Sequence, residues 1–69
     1  MVDIKELKKM IASKGYNLEQ FAEKIGMGRS TLYRKMKDNG NNFTIGEIET
    51  IVKILRLTKK ESISIFFIN

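Results

Sequence analysis

The chain has no cysteine, no histidine and no proline among its 69 residues. Without cysteine no disulfide can staple so short a domain, and without histidine a zinc site of the usual ligand set is excluded. The same absences remove the common nucleophile–base pairs, and no paired carboxylates stand out for general acid–base work. No apolar run is long enough to span a bilayer, and the opening "MVDIKELKKM" lacks the apolar centre of a signal sequence. These absences predict a cytoplasmic, non-enzymatic protein with no membrane span, cofactor, metal or evident small-molecule ligand.

Acidic residues are also few. Eight Asp and Glu face thirteen Lys and Arg, a formal charge of +5 with a pI near 9.7. That balance favours polyanionic partners such as nucleic acid and is silent about fold. A chain of this length forms one domain and buries only about 60% of its unfolded surface, so its core is small. Helix pairs, dimerisation or both must then supply stability. The missing proline suits an all-α fold.

Helix starts are present in number. Asp3/Glu6, Asn17/Gln20, Thr44/Glu47 and Thr58/Glu61 each place a capping side chain three positions before Glu or Gln, ahead of an apolar pattern. Ile4, Leu7 and Ile11 recur at helical spacing after the first, with Gly15 closing the element. A short second helix is expected from about Leu18 to Ile25, with Phe21, Ala22 and Ile25 inward. Arg29 to Lys37 forms a third around Leu32 and Met36. "DNGNN" (38–42) reads as a turn. A fourth helix follows Thr44 with Ile45, Ile48, Ile51, Val52 and Leu55 on one face, and a short fifth begins in "KKESISIFF". The final "ISIFFIN" is rich enough in β-formers to leave a strand open there.

The second and third helices are joined by Gly26-Met27-Gly28 and cannot continue in line. Gly26 can take the positive φ that ends one helix, and small Ala22 four residues earlier lets the next approach steeply. This is a helix-turn-helix. The third helix then carries Arg29, Arg34, Lys35 and Lys37 with no acid. An α-helix fits the DNA major groove, and residues at its N-terminal end reach base edges.

"NLEQFAEKIGMGRSTLYRKMK" resembles the helix-turn-helix of the lambda-type repressors and Cro proteins. The likeness extends over the whole chain: a leading helix, the two-helix motif, an Asn-Gly loop and two closing helices. It implies a lambda-repressor-like five-helix domain over residues 1–69, a transcriptional regulator that represses from double-stranded DNA in a bacterial or phage-infected cell. It implies base contacts from Arg29, Ser30 and Arg34, with Thr31 and Tyr33 as secondary candidates. Phosphate contacts fall to Lys35, Lys37, Asn39, Asn41 and Asn42, and to backbone N–H groups around Asn17 and Leu18. Two departures from the family pattern stand out. Leu18 occupies the position where a phosphate-binding Gln is common, with acidic Glu19 near the expected phosphate, and Lys35 occupies a position that is usually apolar.

The resemblance also implies a homodimer on a two-fold symmetric operator. A fifth helix that buries Ile63, Phe66 and Phe67 leaves Ile65 and Ile68 outward as a self-association surface; the alternative is a tail that only covers the core. Two other functional classes compete. Asp38 to Glu49 has the length of an EF-hand loop, but Gly40 and Phe43 stand where a ligand and the turn glycine are needed. A protein-interaction module, antitoxin-like or repressor-modulating, is the alternative to DNA binding.

Overall fold

A computed structural model describes residues 2–67. It contains five helices, α1 (Ile4–Ser13), α2 (Leu18–Lys24), α3 (Arg29–Lys37), α4 (Ile45–Leu55) and α5 (Lys59–Phe66). There is no strand among the described residues, so "ISIFF" resolves as helix up to Phe66. α2 packs on α3 and α1 on α5.

All four caps form as their residue types predict. Asn17, Thr44 and Thr58 each make the full reciprocal box with Gln20, Glu47 and Glu61. Asp3 makes half of one: its side chain accepts from the Glu6 N–H, while its own N–H donates to the Ile65 carbonyl at 2.7 Å. The start of the chain is thereby tied to the end of α5. Asp38–Glu49 is a turn followed by the first residues of α4, with Thr44 as its N-cap. It is not one continuous loop.

Every helix contributes to one core. Leu7 and Ile11 from α1, Phe21 from α2, Leu32 from α3, Ile51 and Leu55 from α4, and Ile65 from α5 are almost fully inaccessible. Each such side chain stabilises the fold by about 1.5–3 kcal/mol relative to an exposed one. Ala22 is buried where α3 crosses, and Gly26 takes a φ of +73° at the turn.

Two expectations fail. Ile65 is 1% exposed and Phe66 is buried, whereas Ile63 and Phe67 are outward, at 49% and 62%. The phase of α5 is therefore shifted from the expected one. The short run Ile63, Ile65, Phe66, Phe67 is apolar nearly all round, so its pattern cannot choose the inner face. The packing of α1 and the Asp3 hydrogen bond choose it instead. Ile68 lies outside the described residues. Ile45, the first residue of α4, is 79% exposed rather than part of the core face.

Candidate nucleic-acid interface

α3 is fixed from behind by Leu32 and Met36, both buried, which leaves its other face to solvent. Arg29, Ser30, Tyr33, Arg34 and Lys37 are exposed on it, and Thr31 is half-buried. The helix starts at Gly28, which supplies no side-chain cap, and its last turn holds Arg34, Lys35 and Lys37. Cations there also offset the negative end of the helix dipole, so part of this charge is structural.

The cations divide by what they touch. Arg29 Nη1 donates to Glu19 Oε2 at 3.0 Å, and its guanidinium lies over the Tyr33 ring, 5.4 Å from the centroid. Tyr33 is thus a platform for Arg29 as well as an exposed ring. Arg34 and Lys37 have no carboxylate partner among the described residues. They border a shallow depression of about 590 Å³ with Lys35, Asp38 and Asn42.

Lys35 reaches across to α4. Its ammonium donates to Glu47 Oε1 at 2.7 Å, to Oε2 at 2.9 Å and to the Asn42 carbonyl at 3.2 Å. Both carboxylate oxygens face one side of the ammonium, and the Asn42 carbonyl lies within reach of a second donor. Lys35 therefore fastens α3 to α4. The Lys35 hydrogen bond, with the Thr44 N–H, holds the Glu47 carboxyl below its ordinary value of 4.5. The departure at this position is a tether between helices.

The loop after α3 is shaped by backbone geometry. Asn39 takes a φ of +58°, and its carbonyl accepts from the Val2 N–H. Asn42 Nδ2 donates to Asp38 Oδ2 at 2.6 Å, while Asn41 is exposed. At the start of α2, the capping box engages the N–H groups of Asn17 and Gln20. The first-turn donors outside the box are those of Leu18 and Glu19.

The Arg29–Glu19–Tyr33 contact and the Lys35–Glu47 tether went unforeseen. They join residues ten and twelve positions apart across helix turns, and no local spacing encodes such pairs.

Two short helices packed together across a glycine turn, the second cationic and solvent-facing, define a helix-turn-helix protein. A family model described as bacterial regulatory protein, Fis family, matches residues 1–38, the span of α1 to α3 and more than half of the chain. The chain belongs to that family of helix-turn-helix regulators and is a DNA-binding transcription regulator. No curated protein and no solved structure matches it.

Proposed function

We propose that the protein is a repressor of the lambda-repressor/Cro type that occupies duplex DNA as a homodimer, with α3 in the major groove. The observation that carries this reading is the outer face of α3, where Arg29, Ser30 and Arg34 are exposed while Leu32 and Met36 hold the helix from behind. Arg is the side chain best matched to the paired acceptors of guanine, and Ser30 serves either strand less selectively. Thr31 and Tyr33 lie close enough along the helix to touch a thymine methyl or the backbone. Lys35, Lys37, Asn39, Asn41 and Asn42 supply phosphate contacts, with the N–H groups at Asn17 and Leu18 on the other flank. Action on a promoter places the protein in the cytoplasm of a bacterial or phage-infected cell.

One monomer offers one recognition helix, so a two-fold operator needs a second copy. The surface that suits it is a groove of about 880 Å³ between α4 and α5, lined by Ile45, Ile48, Val52, Ile63 and Phe67. It holds three of the four exposed large apolar side chains among the described residues. Its lining also includes Glu49, Lys53 and Lys59, opposite charges that an isologous contact can pair. Ile45, Ile63 and Phe67 thus replace Ile65 as the dimer residues. The same groove is what favours the alternative, a module whose main partner is another protein.

Selection of bound sequences from a random duplex library at fixed ionic strength tests the reading. A palindromic motif supports both DNA recognition and the dimer. No enrichment favours the protein-interaction alternative.

A further inference from the structure

Glu19 lies in the first turn of α2, and Arg29 is the first residue of α3. Their contact at 3.0 Å crosses the helix-turn-helix, and both side chains remain mostly exposed, at 69% and 60%. Exposed ion pairs do little for stability, because solvent screens them and ordering two long side chains has an entropic cost. The consequence of this pair is where it puts the guanidinium. Glu19 holds one nitrogen and the Tyr33 ring covers one face. The remaining N–H groups of the fork stand at the N-terminal end of the proposed recognition helix.

Two physical effects follow. Guanine presents two adjacent acceptors that a guanidinium meets in one plane, so a fork already oriented loses less freedom on pairing. The commonest partner for an arginine on DNA is instead a phosphate, which carries no sequence information. A carboxylate in contact with the guanidinium opposes an incoming phosphate charge, and it opposes the neutral edge of a base far less. Glu19 thus weakens the indiscriminate use of Arg29 more than the selective one.

We propose that Glu19 is a specificity-determining residue that positions Arg29 against Tyr33 and directs its guanidinium to a base edge rather than to phosphate. The proposal rests on the reading of α3 as the recognition helix. It treats an acid on a DNA-facing surface as a discriminating device.

The test is Glu19→Gln, which preserves size and leaves the Asn17–Gln20 capping box untouched. In the free protein, the Arg29 Nε–H is ordered by nuclear relaxation in the wild type and more mobile in the variant. Equal mobility overturns the positioning. Dissociation constants for the selected sequence and for an unrelated duplex are then compared at one ionic strength. The four proteins are the wild type, Glu19→Gln, Arg29→Ala and the double variant. Glu19→Gln binds unrelated duplex more tightly, and its specific-to-unrelated ratio falls about tenfold, the scale of one bidentate base contact. That fall disappears when Arg29 is already Ala. A ratio unchanged by Glu19→Gln, or changed equally without Arg29, overturns the proposal and leaves the DNA reading intact. If the wild type enriches no sequence at all, the DNA reading falls and the proposal with it.

Discussion

Lys35 adds to the positive charge of α3, yet its ammonium is paired with the Glu47 carboxylate and also reaches the Asn42 carbonyl. At the scale of single residues, charge counted along a helix differs from charge offered to a ligand. Replacing Lys35 with Met keeps most of the stem and removes the tether. The expected loss is about 1–2 kcal/mol in urea unfolding, between the values for exposed pairs and for fully buried ones. Glu47 gives the pair a pH signature. Its carboxyl is held below the ordinary 4.5 in the folded state, first by the Lys35 hydrogen bond. A carboxyl with a depressed folded pKa contributes stability that is present above its unfolded pKa. That contribution shrinks as pH drops below 4.5 and is gone once pH has passed through the lower folded value. Urea midpoints at about pH 6 and about pH 3 should therefore diverge less in Lys35→Met than in the wild type. Equal divergence would place the acid sensitivity elsewhere.

Among the helices, what could be foreseen was local and what could not was tertiary. A cap needs only a side chain and the N–H three residues on, so Asn17, Thr44 and Thr58 announced their helices and each formed its box. Ala22 and Gly26 announced the crossing of α2 and α3 for the same reason. The inner face of α5 was not legible, because four large apolar residues crowd five positions and only the neighbouring helix decides between them. The outward face of α3 follows from the i, i+4 spacing of Leu32 and Met36, but the partners of Arg29 and Lys35 depend on how α2 and α4 are docked. Two turns illustrate the difference. Gly26 and Gly40 both have positive φ, yet a Cβ at Gly26 meets nothing within 4 Å, whereas one at Gly40 would lie 2.6 Å from the Val2 side chain. Gly26→Ala should cost about 1 kcal/mol through backbone conformation alone. Gly40→Ala should cost clearly more in thermal unfolding, because the Val2 strap that also meets Asn39 must move. Equal costs would show that the strap contributes little.

For the molecule as a whole, the outer face of α3 and the α4–α5 groove are separate surfaces joined by one small core. Substituting Asp for Phe67, which is 62% exposed, should leave the helical circular dichroism unchanged. It should shift the sedimentation of the protein to that of a monomer and weaken operator binding. An unchanged dimer would move the interface off this groove. The central claim is that the outer face of α3 distinguishes one DNA sequence from another, and Arg34 tests it most directly. It is exposed, lacks a carboxylate partner among the described residues and lies away from the Glu19 contact. The decisive measurement is the affinity of Arg34→Ala for the selected operator and for an unrelated duplex at one salt concentration, with Lys37→Ala alongside. Arg34→Ala should lose about 1–3 kcal/mol on the operator and far less on the unrelated duplex, whereas Lys37→Ala weakens both alike. An Arg34→Ala protein with the wild-type preference between the two duplexes would contradict the account.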